Sequence, residues 1–185
     1  MGTPQKLIGD VGKRSFPTSP MERINMRRKN RQVTNLNEIE KIVAECKVAR
    51  LGMNDDGKVY IVPMNYGCEC DGTGKITFYF HCAKVGRKME ILKKNPEVCL
   101  ELDGRHELMT ADSPCDHSYY FTSLIGNGTV EILEDTDEKD RALKLIMKHQ
   151  TGKDFEEFDE KWIYAVCVLK VELIDYEVKQ NLPTK

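Results

Sequence analysis

The residues best suited to bind a charged ligand lie between Phe80 and Lys88, where the sequence reads FHCAKVGRK. This pattern predicts the end of a strand and then a helix that begins after Gly86. The first amides of a helix have no internal partner and the helix dipole is positive there, which suits a phosphate group. Gly86 lets the backbone approach closely, and Arg87 and Lys88 supply neutralising charge. An ordinary strand-to-helix connection with surface cations explains these residues equally well.

A second candidate binding segment is the predicted strand at residues 62–66. Pro63 is expected to bend this strand or place it at an edge, because proline cannot donate to a neighbouring strand. A bent strand can present backbone groups to a planar heteroaromatic ring, with ring contacts from Met64 and Tyr66 and a hydrogen bond from Asn65. Taken alone, a simple barrel strand is the better interpretation of the segment.

Other residue patterns indicate chemistry more weakly. Cys68 and Cys70 lie close together in sequence, but no second cysteine or histidine pair has convincing zinc-site spacing, so we predict no metal. A nucleophilic pair of His81 and Cys82 is disfavoured because neighbours along a strand point to opposite faces. The sequence also has no Walker A motif, no Rossmann glycine fingerprint and no nucleophile elbow.

The composition predicts a cytoplasmic globular protein that binds neither nucleic acid nor membranes. The net charge of the 185 residues is −2, from 28 basic and 30 acidic side chains, whereas nucleic-acid-binding proteins usually carry a strong basic excess. No apolar run is long enough to span a bilayer, and no secretory signal is recognisable at the start. The seven cysteines are therefore expected to be reduced thiols, as in cytosolic proteins.

Hydrophobic periodicity predicts a mainly β protein with helices at its margins. Alternation with a period of two predicts six strands, at residues 48–53, 59–66, 75–81, 98–102, 118–131 and 163–178. Helices are predicted after the N-caps Asn35 and Asp135, at residues 86–94, and in a further piece that includes Phe155 and Trp162. Because tight turns join most of the strands, we expect antiparallel pairing and closure into a six-stranded barrel.

The remaining segments are expected to be less regular. Residues 1–25 contain glycine and proline without sustained periodicity, so we predict a poorly ordered leader before a domain that spans residues 26–185. The basic run at 26–31 is either a solvated arm or an arm that reaches a phosphate. Residues 67–74 are predicted to form a turn, and residues 105–116 a polar excursion.

Several motifs occur together in an order and spacing typical of one known family. They are Met26-Arg27-Arg28-Lys29, Ala49-Arg50-Leu51-Gly52, Asp56-Gly57, Val62-Pro63-Met64-Asn65-Tyr66, Tyr79-Phe80-His81-Cys82-Ala83 with Gly86 and Lys88, Lys94-Asn95-Pro96-Glu97-Val98 and Gly128-Thr129-Val130. From about residue 26 to residue 176 the chain resembles the nitroimidazole-resistance branch of the pyridoxamine 5'-phosphate oxidase-like split-barrel proteins. The resemblance implies a six-stranded antiparallel split β-barrel that binds FMN, with FAD as an alternative.

The resemblance also implies a homodimer with two flavin sites at the subunit interface. The implied cofactor contacts are Val62, Pro63, Met64, Asn65, Tyr66, Phe80, His81, Cys82, Ala83, Gly86, Arg87, Lys88 and Ser123. Residues 62–66 and 80–83 would follow the ring and ribityl chain, while residues 86–88 would meet the phosphate. Ser123 would reach the site from the other subunit, and His81 would be the catalytic residue beside the flavin.

Three functions follow from this resemblance. The first is a flavin-dependent oxidoreductase that reduces a small-molecule acceptor, since relatives of the nitroimidazole-resistance branch are proposed to reduce nitroimidazole drugs. The second is a non-catalytic flavin-binding or redox-sensing module, for which the many cysteines give some support. The third is a split barrel that binds haem or a deazaflavin, where haem would need an axial ligand such as His81 or His149.

Overall fold

The computed structural model describes residues 26–183 of the chain. Within that range the backbone forms one antiparallel sheet with helices at its margins, which confirms the predicted fold class. The strands are β1 (Val48–Asp55), β2 (Lys58–Asn65), β3 (Gly67–Cys70), β4 (Ile76–Cys82), β5 (Glu97–Met109), β6 (Ser118–Leu133) and β7 (Cys167–Asn181). The helices are α1 (Leu36–Glu45), α2 (Arg87–Lys94), α3 (Thr136–Thr151) and α4 (Glu160–Ala165), with short 3-10 turns at Lys29–Arg31 and Pro114–Asp116. The predicted leader at residues 1–25 lies outside the described residues.

The sheet is split at one point. Its strand order is β2-β1-β5-β6-β7-β4-β3, so β2 and β3 form its two edges. These edges are consecutive in sequence, because Tyr66 alone separates the end of β2 from the start of β3. Asn65 pairs with Val48 of β1, whereas Gly67 pairs with Tyr79 of β4. The two edges are therefore joined by the covalent chain and not by a ladder of hydrogen bonds.

The predicted strand count and the predicted turn at residues 67–74 need correction. The described residues form seven strands instead of six, and the hydrogen-bonded sheet is not closed. The additional strand is β3, which occupies the first half of the predicted turn and pairs with β4. β3 is not recognisable from sequence because its four residues have no strand pattern of their own. It is a strand because it pairs with β4.

Two other predicted boundaries also differ. β5 continues as far as Met109, through part of the predicted polar excursion, because β6 pairs with it beyond a register shift. The last strand begins at Cys167 instead of residue 163, because the preceding residues form α4. The N-cap of α4 is Asp159, whose carboxylate accepts a hydrogen bond from the Lys161 amide at 3.0 Å.

A tight turn joins β1 to β2, as expected for most of the strand connections. The strands pair as far as Asp55 and Lys58, which leaves Asp56 and Gly57 as a two-residue loop. Both loop residues have positive φ, 51° and 87°, which is the signature of a type I′ turn. β2 is an edge strand, as expected from Pro63.

Hydrophobic residues are buried on both sides of β4. One side faces the main core inside the barrel, to which α1 and α2 also contribute. The other side faces a smaller cluster under α3 and α4, formed by Tyr79, Leu133, Ala142, Leu143, Ile146, Ile163 and Val168. Five consecutive residues of β4 are therefore buried, and Cys82 and His81 mark where this burial ends.

The two predicted N-caps are confirmed. The Asn35 side chain accepts a hydrogen bond from the Glu38 amide at 3.1 Å, and the Asp135 carboxylate accepts one from the Glu138 amide at 3.0 Å. The Glu38 carboxylate does not complete a capping box with Asn35, since it pairs with Arg105 at 2.9 Å instead.

Removing the cap of α3 tests how much this local signal stabilises the fold. We expect Asp135→Ala to lower the free energy of unfolding by about 1 kcal/mol, because the Glu138 amide loses its acceptor. Asp137→Ala is the matched control, since Asp137 lies in the same first turn but does not cap the helix. Chemical denaturation measures both variants, and equal losses would show that helix charge and not the cap matters.

Candidate functional site

The two predicted binding segments flank one opening at the split. Gly67 and Tyr79 form the last pair of the β3–β4 ladder. Beyond that pair β2 and β4 are not hydrogen-bonded to each other. Residues 62–65 pair with β1, and residues 80–82 pair with β7. The edge of β2 that does not face β1 has no strand partner. This opening brings together the two stretches that were predicted from sequence.

The Lys88 side chain connects the two sides of the opening. Its Nζ lies 3.4 Å from Met64 Sδ, so α2 contacts β2 there. A thioether carries no charge, and none of the carboxylates in residues 26–183 forms an ion pair with Lys88. The Lys88 ammonium group can therefore serve an anionic ligand.

The neighbouring cation, Arg87, is already engaged. Its Nε and Nη2 atoms donate to Asp55 Oδ2 at 2.9 and 2.8 Å. Its guanidinium group also lies over the Tyr60 ring, 4.3 Å from the centroid. The Arg87 side chain thus fixes α2 to the β1–β2 hairpin. Arg87 could still bind a ligand through its backbone amide.

The start of α2 has the geometry of an anion site. Gly86, its N-cap, has φ 121° and ψ 169°, a conformation that side chains other than hydrogen rarely allow. No side chain caps this helix, and the first helical hydrogen bond runs from the Glu90 amide to the Gly86 carbonyl. The three preceding amides have no helical partner. A Cβ at Gly86 would meet no atom within 4 Å, so the position is open.

Three of the predicted contact residues have side chains in the barrel core. Tyr66 and Phe80 are fully buried, and Met64 is 8% exposed. The Tyr66 hydroxyl lies 2.6 Å from the Val43 carbonyl and 2.8 Å from the Cys46 carbonyl. Tyr66 and Phe80 can therefore reach a ligand in the opening only through main-chain atoms.

The other predicted residues on this side of the molecule are more accessible. Pro63, Asn65, His81 and Ala83 are exposed, while Val62 is half-buried. Strand alternation places His81 on the face of β4 opposite to Cys82. The Asn65 amide nitrogen donates to the Lys47 carbonyl at 3.1 Å and to Gln150 Oε1 at 3.0 Å, so only its oxygen lacks a partner among the described residues.

Ser123 lies in a different place from these residues. It is on the outer face of β6 and pairs across the sheet with Asp103 and Lys179. Lys179 lines a cavity of about 170 Å³ together with Arg27, Arg28, Arg31 and Phe121. The single chain therefore does not bring Ser123 to the opening, but places it beside the basic arm that was considered for phosphate binding.

Sequence reasoning missed a polar cluster around His149, at the end of α3. The His149 ring stacks on the Tyr66 ring with centroids 4.4 Å apart. Its Nδ1 lies 2.8 Å from the Tyr66 carbonyl, and its Nε2 lies 3.2 Å from the Val43 carbonyl. The Gln150 amide nitrogen also donates to the Tyr66 carbonyl, at 2.9 Å. This cluster fixes the bend between β2 and β3, and a lone histidine at a helix end gave no sequence signal for it.

Titration of His149 should make the stability of the fold depend on pH. Burial, followed by the charge of Lys47, lowers the pKa of His149 below its ordinary value of 6.5, although the backbone carbonyls oppose this. The unfolded chain then binds more protons than the folded chain, so stability is lost as the pH falls from about 6.5 towards the lower folded pKa.

We therefore expect wild-type stability to fall between about pH 7 and pH 5 more steeply than that of His149→Gln. The measurement is the free energy of unfolding in urea at each pH. His117→Gln is the control because His117 is exposed in the connection before β6. If His149→Gln and wild type lose stability in parallel, His149 does not govern the pH response.

A separate concavity lies away from the opening. It has a volume of about 650 Å³ and lies over the outer face of β1, β5, β6 and β7. It contains none of the residues that were predicted to bind a ligand. Apolar side chains are exposed on the same face, among them Val59, Ile61, Ile125 and Ile174. This concavity has the character of a contact surface and not of a site built for charged groups.

The chain belongs to the pyridoxamine 5'-phosphate oxidase family, whose sequence model matches residues 35–179. It is similar to the crystal structure of a candidate 5-nitroimidazole antibiotic resistance protein from Bacteroides thetaiotaomicron. That match has 33% identity and a TM-score of 0.70, and it covers 80% of this chain and 86% of the other. No protein of curated function matches the sequence.

Two more distant structures share the fold. The flavocytochrome Anf3 from Azotobacter vinelandii has 19% identity and a TM-score of 0.73, over 90% of this chain and 77% of its own. A protein from Mycobacterium smegmatis that binds FAD and heme has 16% identity and a TM-score of 0.69, over 84% of this chain and 76% of its own. At these identities the likeness extends to the fold alone.

No group of three or more histidine, cysteine, aspartate or glutamate side chains in residues 26–183 is arranged to hold a metal ion. None of the helices in the same range is long and apolar enough to cross a membrane.

Proposed function

We propose that this protein binds a flavin, FMN, in the opening at the split and acts as a flavin-dependent oxidoreductase. The observation that carries the proposal is the position of Lys88 at the uncapped start of α2, in contact with Met64 across the opening. Family membership supports the same cofactor class, and so do the flavin-binding proteins with the same fold.

The residues of the opening fit the phosphate end of FMN. Three free amides at the start of α2 and the Lys88 ammonium group would hold the phosphate oxygens, and Gly86 leaves room for them. Arg87 would act indirectly, since its pairing with Asp55 keeps α2 in position. FMN ends at this phosphate, whereas FAD would continue from the same phosphate into a second phosphate and adenosine, so identification of the released chromophore distinguishes the two.

The unpaired edge of β2 fits the flavin ring. Residues 62–65 have backbone groups on this edge that no strand satisfies, although Pro63 has no amide hydrogen. Such groups can bond the polar edge of an isoalloxazine ring. The Tyr66 carbonyl is already engaged by His149 and Gln150, so Tyr66 would contribute mainly through its position at the end of this edge. Phe80, Cys82 and Ala83 would form the opposite wall through their main-chain atoms and, for Ala83, its exposed methyl group.

A second copy of the chain would complete the site. The exposed apolar residues on the outer sheet face support a homodimer, because association would remove them from water. Ser123 and the basic arm lie away from the opening of their own chain and would contact the flavin of the other subunit. Light scattering coupled to size-exclusion chromatography should give about twice the chain mass of 21.2 kDa.

When bound, the flavin supplies hydride or electron transfer to a small-molecule acceptor, for which nitro compounds are the first class to test. His81 is exposed beside the opening, and histidine side chains exchange protons near neutral pH. We propose that His81 supplies a proton to the reduced acceptor. His149 is not an alternative proton donor, because both of its ring nitrogens lie against backbone carbonyls.

The first test is the visible absorption spectrum of the purified protein, followed by release and identification of the chromophore. A yellow protein that yields FMN supports the proposal. A colourless protein that takes up no added FMN overturns it, and a spectrum of haem or deazaflavin would assign one of the alternative ligands. None of these readouts depends on turnover.

The second test separates an enzyme from a non-catalytic flavin-binding module. We propose to measure steady-state reduction of nitro, quinone and oxygen acceptors by wild type, His81→Ala and His117→Ala, with NAD(P)H as donor. The oxidoreductase proposal requires turnover that His81→Ala loses while it retains flavin, and that His117→Ala keeps. Bound flavin without turnover on any acceptor would indicate the module instead.

A further inference from the structure

We propose that Cys82 and Cys167 form a redox-active dithiol that oxidation converts to a disulfide across β4 and β7. The proposal is independent of flavin binding. It starts from the sheet register, in which Cys82 and Cys167 are directly opposite each other in an antiparallel ladder.

The register satisfies the distance requirement of a disulfide. Residues directly opposite in antiparallel strands have Cα atoms about 4.5 or 5.5 Å apart, and their side chains share one face. Disulfides need Cα atoms about 4.4–6.8 Å apart. Phe80 and Leu169, the next pair on this face, are both fully buried in the core, so the two thiols face the same way.

No other pair of cysteines in this chain has the same relation. All seven are free and lie within the described residues. Cys68 and Cys70 are opposite Phe78 and Ile76, and Cys99 is opposite Gly52 and Asn127. Cys82 and Cys167 are thus the two cysteines that lie directly opposite each other across a strand pair.

The surroundings of the pair allow an oxidant to reach it. Cys82 is half-buried, and its Sγ lies 3.7 Å from Met89 Sδ. Cys167 is only 5% exposed but lines a cavity of about 220 Å³. Lys84, Lys93 and Lys139 also line this cavity, with Glu134 the acidic residue among its lining. The cavity gives a small oxidant access to the Cys167 side of the pair, and the half-buried Cys82 side chain is accessible as well.

The two cysteines have different parts in the reaction. Burial raises the pKa of Cys167 to about 11, and the neighbouring Cys82 thiol also raises it. The more accessible Cys82 therefore meets the oxidant first, and Cys167 is the resolving thiol.

With hydrogen peroxide as oxidant, the Cys82 sulfur attacks one peroxide oxygen and the O–O bond breaks. The other oxygen departs as water, and Cys82 becomes a sulfenic acid. The Cys167 sulfur then attacks the Cys82 sulfur, the S–S bond forms, the S–O bond breaks, and a second water leaves. Two electrons pass from the dithiol to the peroxide, and the hydrogens of both thiols end in the two waters.

The test is peptide mapping of the full-length reduced protein after treatment with hydrogen peroxide, with free thiols blocked by an alkylating agent. Trypsin cleavage places Cys82 in ITFYFHCAK and Cys167 in WIYAVCVLK, each with a single cysteine. We expect a linked pair of these peptides, about 2 Da lighter than the sum of the free peptides, that disappears after treatment with dithiothreitol. Peroxide is increased until the exposed thiols of Cys99 and Cys115 are oxidised, which serves as the positive control.

Two single variants complete the experiment. Cys99→Ala should keep the linked pair, whereas Cys167→Ala should lose it and leave a sulfenic acid at Cys82 that dimedone traps. The proposal is overturned if Cys82 and Cys167 stay alkylatable when Cys99 and Cys115 are oxidised, or if Cys82 links to any other cysteine. The mapping of the wild-type protein decides the question even if Cys167→Ala fails to fold.

Discussion

The Lys88→Ala variant is expected to bind FMN between about tenfold and a hundredfold more weakly than the wild-type protein. Hydrogen bonds to charged groups contribute roughly 1.5–3 kcal/mol, and each 1.4 kcal/mol is about a factor of ten in affinity. Lys88 contacts only the uncharged Met64 sulfur at the opening, so its loss removes charge from the site without breaking an ion pair. The measurement is quenching of flavin fluorescence during titration of the apoprotein.

A comparison of two ligands tests whether Lys88 acts on the phosphate. Riboflavin has the ring and the ribityl chain of FMN but no phosphate, so its affinity should not change in Lys88→Ala. Lys94→Ala is the matched control, since Lys94 lies at the other end of the same helix and pairs with Asp56 at 3.7 Å. Equal weakening of FMN and riboflavin would show that Lys88 supports the shape of the opening and does not bind the phosphate.

The Gly67→Ala variant is expected to lose about 3 kcal/mol of stability, the largest effect of any single change considered for the fold. A Cβ at Gly67 would lie 2.5 Å from both the Ile146 nitrogen and the Leu145 carbonyl carbon. Both atoms belong to the backbone of α3, which cannot yield as a flexible side chain would. The variant must therefore move α3 away from β3 or shift the bend at Tyr66.

Gly52→Ala is the control for this change, because Gly52 is also in a strand and its added Cβ would lie 3.2 Å from the Cys99 carbonyl oxygen. We expect it to cost about 1 kcal/mol or less. Urea denaturation of the two variants and the wild type gives the comparison. Similar losses for both would mean that α3 adjusts freely to β3, contrary to the tight contact seen at Gly67.

Local signals predicted part of this fold correctly. The caps at Asn35 and Asp135 and the Asp56-Gly57 turn each depend on a few neighbouring residues, so the sequence alone contains the information for them. β3 and the extension of β5 were missed, because each is a strand only through its pairing with another part of the chain. The helical piece predicted to include Phe155 and Trp162 begins only at Glu160, so Phe155 lies outside it. Its end at Ala165 was missed because the apolar residues continue from α4 into β7.

In the candidate site, too, the features set by neighbouring residues were predictable, and those set by contacts across the fold were not. Gly86 and Lys88 could be selected from sequence, since a glycine before a basic helix start has a physical meaning by itself. The engagement of Arg87 by Asp55 and the burial of Tyr66 depend on contacts across the fold, which no spacing in the sequence indicates. Whether residues 62–66 and Ser123 touch a flavin stays a prediction that the experiments above address.

The junction at Tyr66 has a consequence for solubility. An open sheet usually exposes two strand edges whose free amides and carbonyls can recruit the edge of another molecule. Here one edge, β3, is only four residues long, and the other, β2, includes Pro63, which cannot donate a hydrogen bond. Both edges also end at the same bend. The sheet can thereby stay open between β2 and β4 while it offers little template for intermolecular strand pairing and aggregation.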